Sequence, residues 1–153
     1  MKAVSSTHEA QADEGFDLAA FLPYQLAAAA GRVSRAFAER YRTEFGLTIP
    51  EWRVLAHLSQ SGPVSVREIH VRVDMDKSKV SRAAARLEAA GHVAKALHPG
   101  DRRLVALSLT EQGQALVARI LPVALAYQAN LEERLGPDSK ALRRALERLM
   151  AEG

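Results

Sequence analysis

The sequence predicts a mainly α fold with a small two- to three-stranded β wing. Three observations carry this. Apolar residues recur three and four apart along most of the 153 residues, which is the spacing of one helical face. Helix starts and stops are marked by capping side chains and by glycines at matching distances. Only between 93 and 109 does the apolar period drop to two, the mark of paired strands.

The elements follow in order. Residues 1–15 are polar, small and aperiodic, and 1–16 are expected to form a mobile tail. A long helix is predicted over about 17–45, with Leu26, Ala30, Val33, Phe37, Tyr41 and Phe45 on one stripe. Pro23 fits its first turn, Gly31 costs it about 1 kcal/mol against Ala, and Gly46 stops it. Thr48 with Glu51 makes a capping box for a helix reaching about Ser59, with Trp52, Leu55 and Leu58 on one face. Gly62 and Pro63 end it. Ser65 with Glu68 is a second capping box, opening a short helix that ends near Val73. Asp74 lies in the next turn, where Asp accepts left-handed backbone better than most residues. Asp76 then caps a helix of about 77–90, closed by Gly91.

Next, Val93, Lys95 and Leu97 alternate along one strand and Val105, Leu107 and Leu109 along another, joined by the polar turn HPGDRR. Such a pair is too small to stand alone and must lean on the helices. Thr110 caps a long helix with Leu116, Ile120, Val123, Tyr127, Leu131 and Leu135 on one stripe, which Pro122 is expected to bend. Gly136 and Pro137 interrupt the chain before a last helix of about 138–151, which carries Leu142, Leu146 and Leu149. Two short helices followed by a basic hairpin make a winged helix-turn-helix lobe, about 48–110. The outer helices, about 17–45 and 111–151, carry more apolar surface than a lobe of this size buries. They are therefore expected to pack on a second copy of the chain, as a dimerisation region.

Composition bounds the function. The chain has no Cys, which excludes disulfides, thiolate metal sites, cysteine nucleophiles and thiol redox sensing. The five His show no metal-ligand spacing, so neither metal nor cofactor is expected. No apolar run reaches the roughly 18 residues of a membrane span, and MKAVSSTHEAQADEG lacks a secretion signal's apolar segment. A cytoplasmic protein with no membrane partner is expected. Charge is uneven: residues 67–103 hold nine Lys/Arg against five Asp/Glu, and the rest of the chain holds 12 against 13. A local basic excess fits a polyanion partner, or a solvated surface.

The helix KSKVSRAAARLEAA decides between these. At about 100° per residue, Val80, Ala83, Ala84 and Leu87 share one arc, the core face. Ser78, Arg82 and Ala85 lie opposite, flanked by Ser81, Lys79 and Arg86, with Lys77 at the start. Small residues let a backbone approach base edges, Arg bonds guanine in two places, and Lys neutralises phosphate. A merely soluble helix more often mixes Glu with Lys four apart. In the hairpin turn, Asp101, Arg102 and Arg103 form a second signal. A guanidinium there suits the narrow minor groove, with Asp101 holding a neighbouring Arg extended; by itself the trio also fits a surface ion pair. Double-stranded DNA is the partner predicted.

These stretches together resemble the MarR family of bacterial transcriptional regulators: IPEWRVLAHL, DKSKVSRAAARLEAAG, the DRR wing, and LTEQG opening the following helix. The resemblance covers about 17–150, so 17–153 is expected to form a single MarR-like domain. Asp74 departs from it, since many members have Gly there. The resemblance implies a homodimer on a pseudo-palindromic operator, with Arg103, then Arg102, as the best match to the wing arginine. It also implies an effector bound between the dimerisation helices and the DNA lobe. TIPEWRVLA and MDKSKVSRA are similar to regulators of aromatic-acid catabolism, including those sensing CoA thioesters. Candidate pocket residues are Tyr24, Arg32, Arg35, Phe37, Trp52, His57 and Tyr127. Trp52 would stack on a ring, and Arg32, Arg35 or His57 would meet a carboxylate. Trp52 also suits plain core, His57 a structural hydrogen bond, and the arginines a solvated face or a dimer contact.

The expected function is thus a sequence-specific, homodimeric DNA-binding repressor released by a small aromatic or anionic ligand. The alternative is a DNA-binding protein without small-molecule input, acting architecturally or by competition. An enzyme is not expected: no nucleophile–base pair, phosphate-binding glycine loop or HExxH motif is present.

Overall fold

The computed structural model describes residues 15–97, 100 and 105–152. Most of the expected tail, residues 1–14, lies outside them. The chain divides into a small N-terminal unit, Met1–Arg35, and a larger one, Ala36–Gly153. After a 3₁₀ turn at Leu18–Ala20, the helices are α1 (Leu22–Phe45), α2 (Ile49–Ser61), α3 (Val66–Arg72), α4 (Lys77–Ala89), α5 (Glu111–Leu135) and α6 (Asp138–Ala151). Three strands, β1 (Val64–Ser65), β2 (Val93–Leu97) and β3 (Val105–Leu109), form an antiparallel sheet in the order β1-β3-β2. The first helix therefore starts later than its apolar stripe predicts, because Asp17 caps a separate turn by accepting from the Ala19 amide. Among the described residues, no helix is long and apolar enough to cross a membrane.

Local chemistry explains most boundaries. Thr48, Ser65 and Thr110 each accept an amide bond three residues on, from Glu51, Glu68 and Gly113. Each thereby satisfies one of the orphan donors of a first helical turn. Pro23 and Pro50 sit in first turns, where a missing N–H costs nothing. Pro122 lies inside α5, which stays continuous.

The core belongs to the larger unit. It joins Ala38 and Tyr41 of α1, Val54, Leu55 and Leu58 of α2, Ile69 of α3, the inner face of α4, and Leu116, Val117 and Ile120 of α5. The sheet adds Val64, Val93 and Leu107. β1 was not anticipated as a strand: Val64 pairs with Leu107 and Ser65 with Ala106. Two residues have too little pattern to announce a strand, and only the neighbouring β3 backbone makes them one. β2 pairs with β3 from Val93↔Leu109 to Leu97↔Val105. The expected alternation holds at the base, where Val93 and Leu107 are buried, and fails outward, where Leu97 and Val105 are exposed.

Candidate nucleic-acid interface

The turn before α4 sets its placement. The Val73 amide closes α3 onto Ile69, and the Met75 amide reaches back to His70. Between them Asp74 takes φ 52°, the left-handed geometry expected of it and the one positive φ outside glycine among the described residues. Asp76 has the extended backbone of a cap, but its side chain makes no capping bond. The cap predicted there is thus positional only.

The four residues expected inside α4, Val80, Ala83, Ala84 and Leu87, are buried. Beneath them lie α2, α3 and β2. Lys77, Ser78, Lys79, Ser81, Arg82, Ala85 and Arg86 are exposed. Lys77, Lys79 and Arg82 form no ion pair among the described residues. Arg86 differs: its Nη1 donates to Glu51 Oε1 of α2 at 3.3 Å. Glu51 was read as half of a capping box, yet its carboxylate is turned to α4. Nothing local in the sequence announces a partner 35 residues away. The wing residues Asp101, Arg102 and Arg103 lie outside the described residues.

The pocket candidates are divided between the two units. Tyr24, Arg32 and Arg35 belong to the N-terminal unit. There Tyr24 is exposed, and the Arg35 guanidinium folds back over Gly31, 2.9 Å from where a β-carbon would stand. In the larger unit Phe37, Trp52 and Tyr127 pack on one another. Phe37 stacks on Tyr127 at 5.1 Å and meets Trp52 edge-on at 5.6 Å. Tyr41, absent from the candidates despite lying on the predicted stripe, completes the cluster at 4.9 Å from Phe37. Burial pushes its phenol pKa up, against the opposing pull of Arg53 and Arg42. Arg40 lies over the Tyr127 ring, 5.8 Å from its centre. These separations are those of directly packed rings. His57 meets Arg72 of α3, whose Nη1 is 3.4 Å from His57 Nε2. Burial lowers the His57 pKa, Arg72 lowers it further, and Glu68 opposes both. Among the described residues, no group of three or more His, Asp or Glu could hold a metal ion.

A family model described as MarR family matches residues 45–104, from the end of α1 to the wing. The HTH-type transcriptional regulator TtmR of Methylorubrum extorquens is 34% identical over 102 residues, 65% of this chain and 52% of that protein. The chain thus spans about half the length of that relative, and 64% of an HTH-type regulator of Bacillus cereus. An HTH-type transcriptional repressor of Mycobacterium bovis is 32% identical over 120 residues, 78% of this chain and 86% of that one. Among solved structures, a MarR/EmrR family transcriptional regulator from Acinetobacter sp. ADP1 is 27% identical with a TM-score of 0.81, over 90% of this chain and 97% of that one. BpsR of Bordetella bronchiseptica, whose DNA binding is regulated by 6-hydroxynicotinic acid, is 25% identical with a TM-score of 0.77, over 90% and 98%. With the helix-turn-helix geometry, the family model on that lobe and a relative matched along most of its length, the chain belongs to the MarR family.

Proposed function

We propose that the chain is a sequence-specific DNA-binding transcriptional regulator. In this reading it is a homodimeric repressor that a small aromatic or anionic ligand releases from a pseudo-palindromic operator. The observation that carries the reading is α4: an apolar inner face, and an outer face of Ser, Ala and cations with no acid at its centre. Ser78, Ser81 and Arg82 would face base edges, with Lys77 and Lys79 on phosphates. Asp101, Arg102 and Arg103 would form the wing, with Arg103 in the minor groove. Helices α1, α5 and α6 would supply the dimer contacts and residues 48–110 the DNA lobe. Such a role places the protein in the cytoplasm with the chromosome.

The likeness to BpsR supports an aromatic-acid type of effector; the acid's CoA thioester is proposed beside it on the sequence resemblance alone. In the free acid the carboxylate would meet Arg32, Arg35 or His57, and the ring of either form Tyr24, Phe37, Trp52 or Tyr127. Two α4 helices enter successive major grooves only when spaced by roughly 34 Å. A ligand favouring another spacing releases DNA through its differential affinity for the two arrangements.

The test is fluorescence anisotropy with a duplex selected from a random pool by the wild-type protein. Arg82→Ala is expected to cost about 1–3 kcal/mol and to relax sequence preference; equal binding by wild type and variant would refute the assigned face. Arg103→Ala is expected to weaken binding and flatten its salt dependence. Aromatic acids and their thioesters are then titrated into the complex. A panel that leaves affinity unchanged removes the ligand input and leaves only the DNA-binding part.

A further inference from the structure

The Glu51–Arg86 pair sits in lopsided surroundings. The Glu51 side chain is 9% exposed and the Arg86 side chain 58%. A carboxylate so far out of water depends on its cation, because losing the partner leaves an uncompensated buried charge. A guanidinium on a helix surface has water as an alternative. The constraint therefore runs from Glu51 to Arg86.

The pair also supplies what the packing beneath α4 lacks. Val80, Ala83, Ala84 and Leu87 give an apolar inner face, and the attraction behind apolar burial is itself non-directional. That burial holds α4 against the lobe, and the preceding turn places its first residues. An N–H···O bond is directional, and Arg86 lies in the last turn of α4, where a bond to α2 has most leverage over its pitch. Arg82, one turn earlier, has no such tie among the described residues.

We propose that Arg86 is a positioning residue. Glu51 holds its guanidinium, and the bond sets the pitch at which Lys77, Lys79 and Arg82 meet DNA, so Arg86 is not among the cations that neutralise phosphate. This rests on the reading of the chain as a DNA-binding regulator and revises the role of one residue within it.

The experiment compares wild type, Lys79→Gln, Arg86→Gln, Glu51→Gln and the double variant Glu51→Gln/Arg86→Gln. Each is measured by thermal melting, and by anisotropy against salt with the selected duplex and a scrambled one. Lys79→Gln should flatten the salt slope by about 0.9, as one lost phosphate contact does. Arg86→Gln should keep the wild-type slope, melt lower, and lose several-fold of the preference for the selected duplex. Adding Glu51→Gln should restore part of the melting temperature and of the preference, because the orphaned charge is gone and two amides can bond. A slope that falls with Arg86→Gln as with Lys79→Gln, without rescue by Glu51→Gln, overturns the proposal. Should Arg86→Gln fail to fold, the double variant decides: a wild-type slope supports the proposal and a lowered slope overturns it. If wild type binds no duplex at all, the DNA reading fails. The melting cycle then tests the pin alone, with coupled substitutions supporting it and additive losses overturning it.

Discussion

Gly113 carries no side chain because backbone occupies the space. A β-carbon built there falls on the His92 carbonyl oxygen. Around it, Thr110 ties the end of β3 to the end of α4. Its hydroxyl donates to the Gly91 carbonyl at 2.6 Å and accepts from the Gly113 amide at 3.0 Å, while its own amide donates to the His92 carbonyl at 3.1 Å. The capping role of Thr110 was legible, since Thr before an amphipathic run marks a start. The need for glycine three residues later was not, because it arises from His92, a whole hairpin earlier in the chain. Gly113→Ala is expected to destabilise the protein by about 1–3 kcal/mol, the usual cost of overpacking against atoms that cannot move aside. Urea denaturation measures this, and an unchanged midpoint would show that the joint yields freely. Glu51 teaches the same lesson: as a first-turn acid it was readable, as the partner of Arg86 it was not.

Among the elements, α2 and α3 are joined by His57 and Arg72. His57 accepts this bond only as the neutral ring, and its pKa is lowered in the folded protein by burial first and by Arg72 second. A depressed histidine favours folding while neutral. Its contribution is full above the ordinary histidine value of about 6.5 and is lost as pH falls from there through the folded pKa, because the unfolded chain takes up the proton first. Melting temperature should therefore fall on acidification below that value in wild type, and fall less in His57→Gln. Parallel pH curves would contradict the assignment, since His70 and His92 are common to both proteins. At this scale α4 was the most legible element: strict helical periodicity separated its four buried residues from its exposed arc. β1 and the exposed outer part of β2 were the least legible, because a strand's existence and its buried face depend on what lies beside it.

For the molecule as a whole, the apolar side chains that remain exposed are informative. Leu121 and Leu125 of α5 and Leu142, Leu146, Leu149 and Met150 of α6 are all exposed, and α6 has no buried residue at all. The Arg143–Glu132 ion pair ties α6 to α5, so the helix is held without being covered. An apolar face of this kind marks an interaction surface, and the homodimer proposed above would cover it. Replacing Leu142 and Leu146 together by Glu is expected to give monomers, or insoluble protein, on analytical ultracentrifugation. A soluble dimer would place the subunit contact elsewhere.

By itself the sequence determined the helices, their caps, the buried arc of α4 and the basic bias of the lobe. These depend on local period and local hydrogen bonding, which a run of residues carries within it. Only the tertiary structure decided that the Glu51 carboxylate engages Arg86, that the Phe37, Trp52 and Tyr127 rings pack on one another, and that a two-residue segment becomes a strand. Those outcomes are set by groups distant along the chain and adjacent in space, where burial makes a charge seek a partner and an aromatic face seek another ring.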